Sequence, residues 1–175
     1  MQITLIRHLP TEWNKKHKLQ GKRDIGIAPI TEETHKAIHE NKQQLTSKAP
    51  FDLVLASTLK RTHQTARLYG YSPETDSLLD ELDFGPFEGQ TKSELIQEYG
   101  EIWLENPIDL VLGESIKNLE QRIVQFLEKY HGVKKVLVFG HGSWIRAFIS
   151  YSKVGHVNEM NKIIVDNNEC IDITF

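Results

Sequence analysis

Short apolar runs that favour β-strands alternate with helical patterns along this chain, and this alternation constrains its fold more than any other feature. Three such runs are residues 2–7 (QITLIR), 51–57 (FDLVLAS) and 134–141 (KKVLVFGH). Each run precedes a segment whose apolar residues recur at helical spacing. Strands that alternate with helices predict an α/β fold: a three-layer α/β/α sandwich whose central sheet is mainly parallel and covered by helices on both faces.

The same patterns predict where the elements lie. The segments expected to be helical are 31–46, 58–70, 92–105, 115–132 and 143–152. Residues 105–114 are expected to form a loop, and residues 161–175 a closing pair of strands around Asn167-Asn168. A chain of 175 residues is long enough for one hydrophobic core, so we expect a single domain over residues 1–175.

Composition excludes several classes of partner. The formal net charge is −3, which gives no reason to expect binding to nucleic acid or to a membrane surface. No apolar stretch approaches the roughly 18–20 residues that span a bilayer, and no secretory leader pattern is present. The single cysteine, Cys170, has no partner for an internal disulfide. We therefore expect a cytoplasmic protein with a small-molecule ligand; the sequence carries no signal for an oligomeric state.

The ends of the three predicted strands carry polar side chains. The first strand ends at Arg7-His8, and the third at Gly140-His141-Gly142. The second ends at Ser57, with Arg61 one helical turn further along. Ligands of parallel α/β sheets bind beyond the carboxyl ends of the strands. Three strands are therefore expected to bring cations or imidazoles to one edge of the sheet.

These residue types suit a phosphoryl group. Arginine is always charged and presents a rigid fork of donors that matches phosphate oxygens. The helix that begins after Ser57 is expected to add free N–H groups at its N-terminus. The glycines on either side of His141 leave room for backbone and ligand to approach closely.

Six segments in order resemble those of a known family. They are IRHLPTEWN, LQGKRDIGIAPITEE, LASTLKRTHQTA, DELDFGPFEG, GES at 113–115 and VFGHGSWIRA. Over essentially its full length the chain resembles the histidine phosphatase superfamily, which has the phosphoglycerate-mutase-like fold. Its short length and the segment YGYSPETDSLLDELDFGPFEG are most similar to the short bacterial α-ribazole-phosphatase-like members.

The resemblance implies a two-step reaction without metal or cofactor. His8 is implied to be the nucleophile that becomes phosphohistidine, and Glu81 the proton donor to the leaving oxygen. Arg7, Arg61 and His141 are implied to bind the equatorial oxygens of the phosphoryl group.

Further positions match those that surround the phosphate and the substrate in relatives. They are Thr11, Asn14, Gln20, Gly21 and Gly142. Ser57 and Ser143 are weaker candidates, since a serine at either position also suits a helix cap.

The sequence departs from the family pattern at two places. Leu9-Pro10 follows the nucleophile where glycine and then Glu or Gln are usual. If that position requires a positive φ, leucine is strained by ~1–2 kcal/mol; otherwise it is expected to narrow the pocket. Lys22-Arg23 replaces an aromatic and a small polar residue. With Lys15 and Lys16, this pair predicts a basic rim suited to an acidic or multiply phosphorylated substrate.

Three functions remain open on the sequence. The first is a phosphomonoesterase. The second is a phosphoglycerate-mutase-type phosphoryl transferase, which is disfavoured because only about 59 residues separate Glu81 from His141, whereas the family's mutases usually carry longer insertions there. The third is a phospholigand-binding module with little turnover, which the Leu9-Pro10 departure motivates. Zinc chemistry is disfavoured, since no H-E-x-x-H spacing occurs and arginines beside the histidines repel a cation.

Overall fold

A computed structural model describes residues 1–175 and contains one five-stranded sheet with strand order β3-β2-β4-β1-β5. Strand β5 runs antiparallel to β1, and all other neighbouring strands are parallel. The strands are β1 Gln2–Arg7, β2 Leu53–Ala56, β3 Glu74–Thr75, β4 Lys135–Gly140 and β5 Cys170–Thr174. The predicted α/β fold with a mainly parallel sheet is confirmed; the short edge strand β3 was not predicted.

Helices occupy all five segments that were predicted to be helical. The helices are α1 Glu12–Lys15, α2 Glu32–Lys48, α3 Lys60–Tyr69, α4 Lys92–Glu105, α5 Ile116–Tyr130 and α6 Gly142–Val154. The single-turn helix α1 was not predicted. Helix α4 is kinked at Gly100, whose φ is +51°. None of these helices combines the length and the apolar composition needed to cross a bilayer.

Two buried clusters, one on each face of the sheet, form the core. Side chains alternate between the faces along a strand, so β1 and β4 contribute to both clusters. The larger cluster joins the sheet to α5 and α6 and includes Ile3, Leu5, Val136, Val138, Ile123, Phe126, Trp144 and Phe148. The smaller joins it to α2 and α3 and includes Ile6, Leu137, Phe139, Ile38, Leu45, Ala66 and Tyr69. Helical layers on both faces give the predicted three-layer arrangement.

The predicted closing pair of strands is wrong, because residues 161–175 contain only β5. Residues Met160–Lys162 form a 3₁₀ turn instead. The outer edge of β1 already pairs with β5. The segment before β5 is held differently: Arg7 Nη1 donates to the carbonyl oxygen of Val165 at 2.6 Å. Only β5 therefore pairs with the outer edge of β1, and the preceding segment is held by a hydrogen bond from the Arg7 side chain instead of by strand pairing.

The register of the sheet brings the predicted site residues together. Arg7 of β1 pairs with Gly140 of β4, so His8 and His141 leave adjacent strands side by side. Ala56 of β2 pairs with Phe139, so Ser57 leaves the sheet at the same edge. The expectation that three strands end at one place is confirmed.

Candidate active site

A cavity of about 280 Å³ opens at this edge of the sheet. Eight of the ten predicted site residues line it: Arg7, His8, Asn14, Gln20, Gly21, Arg61, Glu81 and Gly142. Thr11 and His141 do not. The volume lies at the small end of ligand pockets, which indicates a small ligand.

His8 is a buried imidazole with one nitrogen fixed by the backbone. Its Nδ1 donates to the carbonyl oxygen of Leu9 at 2.7 Å, so Nε2 carries the free lone pair. Burial lowers the pKa of His8 well below its usual range, and the charges of Arg61 and Arg7 lower it further. His8 is therefore a neutral ring at neutral pH, as a nucleophile must be.

His141 contacts His8, but its ring nitrogens are both engaged. The two ring centroids are 5.3 Å apart, in an edge-on arrangement. His141 Nδ1 accepts from Arg61 Nε at 3.2 Å, so Nε2 carries the proton and donates to Ser57 Oγ at 2.7 Å. Burial and the charge of Arg61 lower the pKa of His141 well below its usual range. In this arrangement His141 orients Arg61, and its implied role in binding a phosphate oxygen stays a prediction.

Arg61 is held in one orientation at the floor of the cavity. Its Nη1 donates to the carbonyl oxygen of Arg23 at 2.7 Å, and its Nη2 to that of Gly21 at 2.8 Å. With the bond to His141, three of the five N–H donors of the guanidinium are used. The remaining two are available to a ligand.

Arg7 has donors that no protein group satisfies. Its Nε is buried and has no hydrogen-bond partner. A buried donor without a partner costs free energy, and a bound ligand is one explanation for it. Neither Arg7 nor Arg61 forms an ion pair with a carboxylate. The two guanidinium groups therefore leave a place for an anion.

Gly142 allows Arg7 to lie against the start of α6. A Cβ atom at position 142 would stand 3.1 Å from Arg7 Nε and 3.2 Å from Cζ, closer than most side-chain contacts. Glycine at this position therefore has a packing reason, in accord with the expected close approach beside His141.

Glu81 lines the cavity with its carboxylate on the N-terminus of α6. Oε1 accepts from the backbone N–H groups of Leu82 at 2.9 Å and Trp144 at 3.1 Å, and Oε2 from that of Ser143 at 3.1 Å. The positive end of the helix dipole favours a carboxylate there. The neighbouring Asp80 and Asp83 do not line the cavity.

Three of the N–H groups at the N-terminus of α3 already have side-chain acceptors, contrary to expectation. Thr58 N and Lys60 N donate to the carboxylates of Asp80 and Asp24, each at 2.8 Å, and Leu59 N donates to Ser57 Oγ. Side chains of the protein itself thus occupy most of this helix end. The arginines remain as the donors to an anionic ligand.

Thr11 serves α1 rather than the cavity. Thr11 and Asn14 form a reciprocal capping box at the start of this helix, and Thr11 is fully buried.

Asn167, which the sequence did not single out for the site, donates from Nδ2 to the carbonyl oxygen of His8 at 2.9 Å. Gln20 lines the cavity, and its buried Oε1 has no partner.

Leu9 is neither strained nor part of the pocket, so both expectations for it are wrong. Its φ is not in the left-handed region, which only His17 and Asn168 occupy among non-glycine residues. Its side chain is fully buried in the smaller core cluster, where it adds to the contacts between the sheet, α2 and α3. Leucine in place of the family's glycine at this position therefore affects the core and not the cavity.

Basic residues do line the cavity, but they are not the four residues that were predicted to form its rim. Lys15 pairs with Glu12 at 2.9 Å, Lys22 with Asp80 at 2.6 Å and Arg23 with Glu88 at 3.2 Å. Neither these three residues nor Lys16 lines the cavity. The cations that do, besides Arg7 and Arg61, are Lys18, Lys92 and Arg146, and none of these three is in an ion pair.

Sequence reasoning also missed the apolar wall of the cavity. Its members are Leu19, Phe84, Trp103, Ile163, Ile164 and Val165. Trp103 packs in the larger core cluster and also reaches the cavity. No group of three or more His, Cys, Asp or Glu side chains comes together in a way that suits a metal ion.

Comparison with known proteins agrees with this geometry. Residues 3–175 match the family described as the histidine phosphatase superfamily (branch 1). The chain is 31% identical over 166 residues to a 2,3-bisphosphoglycerate-dependent phosphoglycerate mutase of Bartonella quintana, covering 84% of this chain and 79% of that protein. It is 29% identical over 159 residues to phosphoserine phosphatase 1 of Hydrogenobacter thermophilus, covering 84% and 74%. The solved structure of the α-ribazole phosphatase from Shigella flexneri is similar at a TM-score of 0.77 and 25% identity, covering 99% and 90%.

Proposed function

Because the chain belongs to the histidine phosphatase superfamily, we propose that it is a metal-independent phosphomonoesterase that hydrolyses a small phosphorylated metabolite through phosphohistidine on His8. One observation carries the proposal. A neutral, buried imidazole with a free Nε2 lines the same small cavity as two arginines that have unused donors and no carboxylate partner.

In the first step, His8 Nε2 attacks phosphorus while the bond from phosphorus to the ester oxygen breaks. Arg7 and Arg61 donate to the equatorial oxygens, where charge lies in the transition state. Glu81 gives its proton to the leaving alcohol oxygen.

In the second step, water attacks the phosphohistidine. Glu81 takes a proton from the water, the P–N bond breaks, and its electron pair returns to Nε2. Inorganic phosphate leaves, and the neutral ring of His8 is restored. The bond from Nδ1 to Leu9 holds the ring in the same tautomer at the start and at the end of the cycle.

A mutase remains a second candidate, since the relative from Bartonella quintana carries that name. Return of the phosphoryl group to a second hydroxyl requires that water be kept from the phosphohistidine. In this chain the rim of the cavity is exposed at Lys18 and Lys92, and Ile164 is 82% exposed. This open rim favours water as the acceptor.

The third alternative, a phospholigand-binding module with little turnover, is weakened by the position of Leu9. That alternative depended on Leu9-Pro10, and the side chain of Leu9 packs in the core instead of the cavity. No candidate reacting group is displaced by the departure.

The purified protein, screened with EDTA against a library of phosphomonoesters, tests the proposal by the release of inorganic phosphate. We expect hydrolysis, and a phosphoenzyme that is stable in alkali and labile in acid after rapid quenching. In parallel, interconversion of 2- and 3-phosphoglycerate with and without 2,3-bisphosphoglycerate tests the mutase. Absence of both phosphate release and phosphoenzyme would rule out the phosphatase.

A further inference from the structure

The peptide group between His8 and Leu9 is held from both sides by side chains of distant elements. Its carbonyl oxygen accepts from Asn167 Nδ2 at 2.9 Å, and its N–H donates to Thr65 Oγ1 at 3.0 Å. Asn14 Oδ1, also an acceptor, lies 3.5 Å from the same Nδ2, so the NH₂ side of the amide is the side that faces both groups. A peptide plane turns only about the single bonds on either side of it, so these two hydrogen bonds fix its orientation.

The orientation of this peptide decides where the ring of His8 points. The next carbonyl along the chain, that of Leu9, accepts the hydrogen bond from His8 Nδ1 at 2.7 Å. On the other side of the residue, the N–H of His8 donates to the carbonyl oxygen of Gly140 at 2.9 Å. Rotation of the peptide between His8 and Leu9 moves the Leu9 carbonyl away from Nδ1. The ring then loses the bond that places the proton on Nδ1 and the lone pair on Nε2.

The turn that carries Asn167, just before β5, is anchored without the help of the Asn167 side chain. The backbone N–H of Asn168 donates to the carbonyl oxygen of Arg7 at 3.0 Å. Tyr69 donates from its hydroxyl to Asn168 Oδ1 at 2.6 Å, and Asn41 Nδ2 donates to the Asn168 carbonyl oxygen at 2.8 Å. Asn168 has a φ of +65°, a conformation that asparagine adopts more readily than most residues. Loss of the Asn167 amide is therefore expected to leave the turn in place.

Building on the proposed phosphatase function, we propose that Asn167 is a positioning residue for the nucleophile. Its amide, with Thr65 on the opposite side, holds the peptide after His8 so that Nε2 points at the phosphorus atom. Neither Asn167 nor Thr65 lines the cavity, so both act on the reaction through His8. The turn reaches Arg7 through backbone groups, so anion binding by this guanidinium does not depend on the Asn167 amide.

Kinetics of Asn167→Leu test the consequence for turnover. Leucine has nearly the shape of asparagine but no N–H donor. We expect kcat for an aryl phosphate to fall by about ten- to a hundredfold, because a small misplacement of a reacting atom is costly. The inhibition constant of inorganic phosphate should change by less than about threefold, since the arginines that bind it stay in place. Thr65→Val should give the same split between kcat and phosphate binding, and Gln44→Leu, which removes an exposed amide on α2, should behave as the wild type.

Nuclear magnetic resonance tests the position of the His8 ring without any need for turnover. Long-range ¹H–¹⁵N correlation spectra distinguish the two neutral tautomers of a histidine, and the spectrum of His8→Gln assigns the signals of this ring. In the wild type and in Gln44→Leu we expect one tautomer, with the proton on Nδ1. In Asn167→Leu the two nitrogen shifts should move toward each other, because the ring then exchanges between tautomers.

The outcomes separate the two proposals. A wild-type tautomer in Asn167→Leu overturns the positioning role, even where kcat falls, because the loss then has a general structural cause. A wild-type kcat in this variant also overturns it. If the wild type hydrolyses no ester and forms no phosphoenzyme, the phosphatase proposal fails, and the tautomer in Asn167→Leu alone decides whether this amide positions the ring of His8.

Discussion

The ring of His8 is oriented by Leu9, the residue that follows it, through a 2.7 Å hydrogen bond from Nδ1 to the carbonyl oxygen. No second side chain is needed to choose the tautomer. The bond depends only on the backbone conformation at the end of β1, so replacement of glycine by leucine at position 9 leaves it intact. His8 is also buried and next to two arginines, so its reactivity depends on neighbouring groups that can be substituted one at a time.

Replacement of the nucleophile should abolish turnover. His8→Gln keeps a polar side chain but cannot form phosphohistidine, so kcat for an aryl phosphate should fall by at least about 10³-fold. Acid-quenched gels with labelled substrate should show no phosphoenzyme. The exposed His39→Gln on α2 serves as the control and should retain activity. Retention of turnover in His8→Gln would contradict the assignment.

Replacement of Glu81 should depend on the leaving group. Glu81→Gln can still accept the N–H bonds of Leu82 and Trp144 at its one oxygen but cannot supply a proton, so alkyl phosphates should slow by about 10²–10⁴-fold. Activated aryl phosphates, whose leaving group departs without a proton, should slow by less than about tenfold. Steady-state kinetics on both classes check this, with the exposed Glu98→Gln as control. Equal losses on the two classes would exclude Glu81 as the acid.

Removal of the unpaired guanidinium should weaken transition-state binding. Arg7→Met deletes the donors that lack a protein partner, so kcat/KM for an aryl phosphate should fall by about 10²–10³-fold. Inhibition by vanadate should weaken in parallel. Arg67→Met, an exposed change in the last turn of α3, is the matched control. If vanadate inhibits the Arg7 variant as strongly as the wild type, Arg7 does not bind the phosphoryl group.

The two buried histidines should make stability depend on pH. Their pKa values in the folded state lie well below 6.5, whereas in the unfolded chain they are near 6.5. As pH falls below 6.5, the unfolded state takes up protons that the folded state does not, so the free energy of unfolding decreases. Each ring contributes about 1.4 kcal/mol per pH unit, a contribution complete above pH 6.5 and lost as pH falls toward the folded-state pKa.

Urea titrations between pH 7.5 and 5.5 measure this slope. Over this range the free energy of unfolding of His8→Gln should decrease by about 1.4 kcal/mol less than that of the wild type, whereas the exposed His39→Gln should keep the wild-type slope. An unchanged slope in the His8 variant would show that this ring takes up protons in the folded protein as readily as in the unfolded chain.

Most of the fold follows from local patterns in the sequence. Apolar runs predicted β1, β2 and β4, and helical spacing predicted α5, whose Ile116, Leu119, Ile123 and Phe126 are buried. The convergence of Arg7, His8, Arg61 and His141 followed from the rule that parallel strands end at one edge. The closing strand pair failed because an apolar run such as residues 163–165 does not reveal whether an edge is free to receive it.

Charge pairing at the site could not be predicted in the same way. Lys22 and Arg23 directly follow predicted site residues in the sequence. They nevertheless form ion pairs with Asp80 and Glu88, which lie some 60 residues away along the chain. Lys18, Lys92 and Arg146 lie on different parts of the chain and share no motif, so only the folded structure reveals them as neighbours of one cavity. Likewise, the N–H groups at the start of α3 were expected to be free because their acceptors, Asp24 and Asp80, are distant in sequence.

The pairing of Arg7 with Gly140 has a consequence for the protein while it is being made. His8 precedes the strand that it must join by more than a hundred residues, so it emerges from the ribosome well before that strand and the histidine and glycine that follow it. A nascent chain therefore carries an unshielded imidazole of ordinary basicity and no assembled phosphate cradle. The proposed phosphoryl chemistry requires β4 to have docked, so the appearance of activity during folding would mark the assembly of nearly the whole sheet.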